Sequence, residues 1–546
     1  MHRSCWKLAV LVMAPILSQG VGPRLLASSG NGCSALKGRV VAAAEIGLPT
    51  NGAVVNSAKH ATSHGVAFCK AVGEIRSIDA AAQPIRFQVN LPEQWNGHAV
   101  QVGGAVFDGS LKYSSGTRGP EMAVKGAPTP LKQGYATFGS DAGHHHRYFL
   151  FPDETNVLRA DFAQNTEQRQ NFASGQIKKT HDVAIALIRA RYGSGPKRMF
   201  FLGGSTGGRE ALQAIQKWPR DYNGVLAAFA AWNQIESDLG FIRAAQALYA
   251  KDGWLPKSRT KLLHDAVLNA CDAQDGLKDG IVSSVSACRF DAQTLRCADG
   301  HNHAGCLSDG QLHTVMTFAT EQKSSLPVAN GMAQQPGYNI LSGGDLTGNL
   351  GLLKHPMKRP VFFLNSFYYL VGTEVVRNFL TKDNHFDALT FDTASLGKWR
   401  AGVLEQSLED DASIADLTPY EQQGGKLLLV HGDADVTIPT ESSVLYYKRL
   451  VEAMGQARAD GFTRLYLIPG YGHGRGVFNA GFNALGTLEA WVDGHAPATL
   501  ITTDRNSGRT RPMCVWPEWP RYIKGDINAA SSFECVRETT STASLE

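Results

Sequence analysis

The sequence predicts an α/β fold: a parallel sheet with helices on both faces, interrupted by one large insertion. Three observations predict it. Short continuous apolar runs, Met199-Phe-Phe-Leu202, Leu427-Leu-Leu-Val430 and Leu465-Tyr-Leu-Ile468, have the make-up of strands buried on both faces. Helical patterns alternate with such runs at both ends of the chain, the signature of parallel strands joined by crossover helices. Between Trp232 and about Ser413 the alternation stops, in a stretch rich in Gly and Asn that holds four cysteines. An insertion there would lie over the carboxyl edge of the sheet, where α/β proteins bind ligands.

The elements follow in chain order. Met1 to Lys7 is a positively charged start, Leu8 to Leu17 is apolar, and small residues continue to Gly30, the parts of a secretory signal peptide ending near residue 28. The apolar run is too short to span a bilayer, which needs ~20 residues, and no later segment reads as a membrane span. Alternating apolar positions at Ile85, Phe87 and Val89, then at Val100 and Val102, predict strands running to Gly103-Gly104. A further strand is expected at Ala136–Ser140. Residues 165–191 carry Ile177, Val183, Ala184, Leu187 and Ile188 at helical spacing, and a second helix is expected from Thr206 to Lys217, closed by Pro219. The expected organisation is 1–28 signal peptide, 29–231 first part of the core, 232–413 lid and 414–546 second part of the core.

Composition excludes several classes. With 43% apolar and 19% charged residues over 546 positions, the chain is not disordered as a whole. Its 57 glycines follow no three-residue period, which excludes a collagen-like chain. The 53 basic and 49 acidic residues are interspersed, without the basic stripe a nucleic-acid binder concentrates on one face. Removing Cys5 with the signal leaves eight cysteines, an even number suited to an exported, disulfide-bonded protein, either secreted or periplasmic. They fall into sequence-local couples: Cys33 and Cys69, Cys271 and Cys288, Cys297 and Cys306, Cys514 and Cys535. Pairing within couples is the simplest connectivity, though the sequence leaves others open. Zinc is the weaker reading because no Cys-x-x-Cys occurs.

The chemistry-bearing residues begin at Gly203-Gly-Ser205-Thr-Gly207. In a Gly-x-Ser-x-Gly turn between strand and helix, the serine sits on a sharp bend that tolerates only small flanking residues, and its hydroxyl projects above the sheet. The amide of Thr206 at the helix start faces the same point and suits a developing oxyanion. A serine needs an adjacent base, and in α/β-hydrolases the chain order is Ser, then Asp or Glu, then His. Downstream, His431-Gly-Asp433-Ala-Asp435 ends a strand with two acids, and Pro469-Gly-Tyr-Gly-His473 puts a histidine in the loop after the next strand. Asp435 is expected to orient His473, and His473 to act as base for Ser205.

These residues resemble the tannase and feruloyl esterase family. The resemblance runs from Cys33 to Cys535 and rests on Gly203-Gly-Ser-Thr-Gly-Gly-Arg-Glu210, His431 to Asp435, Pro469 to His473, and the tail from Thr510-Arg-Pro-Met-Cys514 to Phe533-Glu-Cys535. It implies a serine esterase with an α/β-hydrolase core and a lid inserted after the nucleophile helix, and it supports the four cysteine couples. It also implies a structural Ca²⁺ in Cys271-Asp-Ala-Gln-Asp-Gly-Leu-Lys-Asp-Gly-Ile281, held by Asp272, Asp275, Asp279 and the carbonyls of Leu277 and Ile281. Hard oxygen donors on a loop turned by glycines suit that ion. The family usually carries a disulfide between the positions of Gly204 and Gly474, which implies a more mobile histidine loop here. In the Gly-Gly-x-Gly-x-x-Gly pattern, Val106 replaces the glycine whose amide joins that of Thr206 in the oxyanion hole.

The resemblance further implies small or polymer-linked esters of aromatic acids as substrates: feruloyl or other hydroxycinnamoyl, galloyl or terephthaloyl. Lid aromatics Trp232, Phe241, Phe367, Tyr368 and Tyr369 are candidates for a ring slot, with one or two expected to touch substrate. Arg377 is a loose match to the lid arginine with which members acting on terephthalate half-esters hold a free carboxylate, and a surface ion pair is the favoured alternative role. His144-His-His146 reads as a loop near the cleft. The competing readings are a non-catalytic calcium-stabilised binding protein and a lipase-like esterase or peptidase on the same scaffold.

Overall fold

The structure is a computed structural model and describes residues 32–117, 122–145, 158–298, 304–324, 327–351, 361 and 364–537. The expected signal segment and His146 lie outside the described residues. A ten-stranded sheet organises the protein. Its strands are β1 (Val40–Val41), β2 (Ala53–Ser63), β3 (Val66–Ile75), β4 (Ile85–Pro92), β5 (His98–Val102), β6 (Ala136–Ser140), β7 (Arg198–Gly204), β8 (Gly224–Ala228), β9 (Lys426–Gly432) and β10 (Thr463–Ile468). They lie in the order β1-β2-β3-β4-β6-β5-β7-β8-β9-β10. From β1 to β4 and on to β6 the pairing is antiparallel; from β6 to β10 it is parallel.

The parallel half is buried on both faces, which is why its strands read as unbroken apolar runs. Successive residues of β7 feed opposite layers: Met199 and Phe201 join one core, Phe200 and Leu202 the other. Of the antiparallel half, β4 was expected from the alternation at Ile85, Phe87 and Val89, whereas β1 to β3 were not evident in the sequence. Its β2–β3 hairpin turns at His64 and Gly65, with φ of +48° and +77°, and β2 buries only Ala53, Val55 and Ala58. Two positive φ values in succession match the twist of a hairpin.

Helix α1 (Gln176–Tyr192) buries Ile177, Val183, Ala184, Leu187 and Ile188, the face read from the sequence. The expected single helix from residue 165 is interrupted by a π-turn at Asn171–Gly175, where Lys179 Nζ donates to Asn171 Oδ1 at 2.9 Å. Helix α2 (Thr206–Lys217) follows β7 directly. Strands β8 and β9 pair residue for residue, Val225 with Leu427 and Ala228 with Val430. The chain between them contributes no described strand to the large sheet and includes helices α3 (Gln234–Tyr249), α4 (Lys257–Cys271) and α5 (Phe367–Val375).

Four disulfides join Cys33 to Cys69, Cys271 to Cys288, Cys297 to Cys306 and Cys514 to Cys535. Among the described residues, no helix is long and apolar enough to cross a membrane.

Candidate active site

Ser205 stands between β7 and α2 with φ +60° and ψ −123°. Such a backbone costs a non-glycine residue free energy and persists only when its surroundings enforce it. They do so here. The Ser205 N–H donates to Ala228 O at 3.0 Å, and its carbonyl accepts from Arg209 and Ala231 at 3.1 and 3.2 Å. A Cβ at Gly203 would lie 2.1 Å from Gly207 O, and one at Gly207 would lie 2.9 Å from Gly104 O. The glycines of the motif are therefore demanded by backbone crowding around the bend.

The three residues singled out in the sequence form one hydrogen-bonded line. Ser205 Oγ lies 3.0 Å from His473 Nε2, and His473 Nδ1 lies 2.8 Å from Asp435 Oδ2. Asp435 is fully buried. Its Oδ1 accepts the N–H groups of Thr437 at 2.7 Å and Ile438 at 3.0 Å. His431, which the sequence offered only as part of the motif, supplies a fourth donor. Its Nε2 lies 3.2 Å from Asp435 Oδ2 and 3.1 Å from Ile438 O, and because a carbonyl only accepts, Nε2 carries the hydrogen. Its Nδ1 meets Ser443 Oγ at 2.7 Å. Burial opposes charge on Asp435, but the two imidazoles outweigh it and hold the carboxyl well below the usual range.

The His473 loop is held by hydrogen bonds next to Gly474. Arg505 Nη2 donates to Gly474 O at 3.0 Å, and Gly472 N donates to Arg475 O at 2.7 Å. Phe229 packs against the His473 ring with centroids 4.7 Å apart.

On the opposite side, the loop after β5 brings Val106 next to the serine turn, where Thr206 Oγ1 donates to Val106 O at 2.6 Å. Val106 has φ +54°, a left-handed conformation unfavourable for a β-branched residue. Beneath it, Glu210 is fully buried and accepts Gly104 N–H at 2.9 Å and Gln176 Nε2 at 2.7 Å. Asp108 faces Glu210, and a Cβ on Gly104 would fall 1.7 Å from Asp108 Oδ1. Burial and the neighbouring Glu210 carboxyl push Asp108 well above its ordinary range. Two carboxyl groups can bond to each other only through a proton, and of the two Asp108 is pushed further towards holding it. The sequence carried no signal for this pair. His144 adds a brace, meeting Phe107 O at 2.5 Å while stacking on Phe162.

A cavity of about 570 Å³ opens over Ser205, Thr206 and His473. Val106, Phe107, Phe241, Phe367 and Val371 give it apolar walls, and Asp433, His264 and Arg475 also reach it. Phe241 and Phe367 meet edge to face at 5.7 Å. Two expected substrate contacts lie elsewhere. Trp232 is buried in the core, its Nε1 donating to Ser442 O at 2.9 Å and its ring packed on Tyr446, so its size serves packing. Arg377 does not line the cavity, and its Nε donates to Phe386 O at 2.9 Å. Tyr368 and Tyr369 are also buried outside the lining, behind Phe367.

The acidic loop packs beside this cavity. Asp272 and Asp275 are each 4% exposed. Asp272 accepts the N–H groups of Asp279, Gly280 and Ile281, and Asp275 accepts those of Leu277 and Ser283. Asp279 instead meets Arg511 Nη2 at 2.8 Å. The three carboxylates do not gather within 4.8 Å of one another; among the described residues the set that does is His181, Asp182 and Asp221, already neutralised by Lys178 Nζ at 2.8–2.9 Å. The loop's donors are all oxygens, carboxylates plus main-chain carbonyls, and that chemistry fits a hard cation. Ile281 closes the loop against Gly470 and lines the cavity, so loop and histidine turn share a wall.

Comparison with known proteins agrees with this architecture. Residues 69–536 match the family model described as tannase and feruloyl esterase. An uncharacterized esterase of Agrobacterium fabrum is 33% identical over 96% of both chains. The mono(2-hydroxyethyl) terephthalate hydrolase of Piscinibacter sakaiensis is 28% identical over 85% of this chain and 84% of its own. Feruloyl esterase B of Aspergillus oryzae superposes with a TM-score of 0.72 at 23% identity, covering 92% of this chain and 100% of that one, which places the fold among the α/β-hydrolases. The chain belongs to the tannase and feruloyl esterase family and is, at that level, a carboxylic ester hydrolase.

Proposed function

We propose that the protein is an exported serine esterase that hydrolyses esters of aromatic acids through an acyl-enzyme on Ser205. The observation that carries the reading is the line Ser205–His473–Asp435, with contacts of 3.0 and 2.8 Å at the floor of an aromatic-walled cavity. Ser205 Oγ attacks the ester carbonyl as His473 Nε2 takes its proton, and Asp435 holds the imidazole tautomer and stabilises its charge. The oxyanion develops towards the amides of Thr206 and Val106. His473 then passes its proton to the departing alcohol, and water, activated by the same imidazole, frees the acid.

The aromatic-acid preference is supported by the facing rings of Phe241 and Phe367 and by the family. Export is supported by the signal-like start and four disulfides. The Asp272–Ile281 loop would take Ca²⁺ through Asp272, Asp275, Asp279 and the carbonyls of Leu277 and Ile281, supplying structural bracing of the cavity wall rather than hydrolytic chemistry. Chelation by EGTA is then expected to lower Tm by several degrees, with recovery on adding Ca²⁺; an unchanged Tm would remove the ion from the account.

The deciding assay follows hydrolysis of methyl ferulate, methyl gallate, mono(2-hydroxyethyl) terephthalate and a long-chain p-nitrophenyl ester by wild type and Ser205→Ala. Turnover of an aryl ester that disappears in Ser205→Ala is expected. Turnover of the long-chain ester alone would move the enzyme to the lipases, and aryl-ester turnover surviving in Ser205→Ala would overturn the serine mechanism.

A further inference from the structure

Asp433 has no role in the line described above, although only Ala434 separates it from Asp435. Its main chain is fully engaged: the N–H donates to Ile468 O at 2.9 Å, and the carbonyl accepts from Asn339 Nδ2 at 3.0 Å. The residue lines the cavity and is 7% exposed. Among the described residues, no protein donor or cation meets that carboxyl.

Most other polar groups around the cavity are occupied. Asn349 Nδ2 donates to Thr437 Oγ1 at 2.8 Å, and Asp345 Oδ1 accepts Thr347 N–H at 2.8 Å. His264 Nδ1 and Gln234 Oε1 also lack a partner, but His264 is less deeply buried and an amide oxygen can only accept. A carboxyl at the cavity with no protein partner is open to the hydrogen-bonding groups of a bound molecule.

The chemistry of the missing partner can be narrowed. Burial and the nearby Glu441 push Asp433 up to about 8, so near neutral pH it is largely uncharged and presents both an O–H donor and a carbonyl acceptor. A hydroxyl matches both at once. A cation would need the ionised form, and a carboxylate would gain only one hydrogen bond. Val436 and Ile438 of the same loop, and Val282, also line the cavity.

We propose that Asp433 recognises a hydroxyl group of the bound ester and is a specificity-determining residue of this site. The inference rests on the esterase reading for the identity of the ligand. The hydroxyl belongs either to the aromatic acyl group or to the alcohol, and matched ester pairs separate the two.

Calorimetric binding to Ser205→Ala protein tests it without turnover. Methyl ferulate against methyl 3,4-dimethoxycinnamate probes an acyl-side hydroxyl; 2-hydroxyethyl benzoate against ethyl benzoate probes an alcohol-side one. In one pair the hydroxylated ester is expected to bind about tenfold more tightly. Ser205→Ala/Asp433→Val should abolish that preference, and Ser205→Ala/Asp433→Asn, which still donates and accepts, should largely keep it. Asp433→Ala is the second variant should Val not fold, as judged by thermal melting. A preference absent from both pairs, or surviving both apolar replacements, overturns the proposal, as does failure of all four esters to bind. Hydrolysis of the same esters by wild type keeps the two readings apart. Binding preference without turnover defeats the esterase reading alone, and turnover without preference defeats the role of Asp433 alone.

Discussion

Two loops flank Ser205, and each is built around buried acid, yet the acids are pushed in opposite directions. After β9, Asp435 has no exposed surface and remains a carboxylate, because two imidazoles and two main-chain N–H groups converge on it. After β5, Asp108 is 4% exposed and is pushed towards its neutral form, because burial disfavours charge, its neighbour is Glu210 and no basic group hydrogen-bonds its oxygens. Asp433 carries the contrast into a single loop: two residues before Asp435 and nearly as buried, it lacks the histidines and is pushed up to about 8. Burial sets the penalty for charge, and the donors within reach decide whether it is overcome.

The largest effect expected from breaking this contrast is at Asp435. Asp435→Asn should leave the fold intact and lower kcat by about 10⁴, as the imidazole loses both its tautomer control and its counter-charge. Steady-state kinetics on any accepted ester measures this, and a loss under tenfold would show that another group orients His473. Next is the neutral pair. Asp108→Ala strips Glu210 of its proton donor and opens space under Gly104, so urea unfolding should show a loss of about 2–3 kcal/mol, with kcat reduced as the Val106 loop loosens. Asp108→Asn keeps a donor of the same shape and should stay within about 1 kcal/mol of wild type. Equal losses in both variants would argue against a shared proton.

The smallest effect concerns pH. A carboxyl raised on folding stabilises the native state below its unfolded pKa, and that contribution is lost as pH rises through the folded value. For Asp433 the window runs from about 4 to about 8. Asp433→Asn removes the dependence, so its Tm relative to wild type should climb by a few degrees across that window and level off above it. Melting curves at pH 5, 7 and 9 decide the matter, and a constant offset would mean that Asp433 is not raised.

Much of this site was legible because its chemistry forces particular residues into fixed chain contexts. The serine turn needs glycines where backbone segments touch, as Gly203 and Gly207 do, and the acid and the histidine each follow a buried strand. The parallel strands were readable because both faces are apolar. The β2–β3 hairpin was not, being half exposed and lacking long apolar runs. Trp232 and Arg377 show the limit for side chains: their residue types suited a substrate, but one fills the core and the other binds a neighbouring carbonyl. The Asp108–Glu210 pair was invisible because its partners lie about 100 positions apart in the chain and meet only in the folded state.

Strands β8 and β9 are neighbours in the sheet but separated by about 200 residues of chain. During synthesis, β8 emerges with one edge unpaired, and it stays so until all of the intervening chain has followed. An open edge of buried, apolar strand is a template for mispairing with other chains. The nucleophile precedes the gap and its base and acid follow it, so a nascent chain cannot become reactive until that edge has closed. Hydrolytic competence therefore arrives late in folding, and the interval before it is when the protein is most exposed to aggregation.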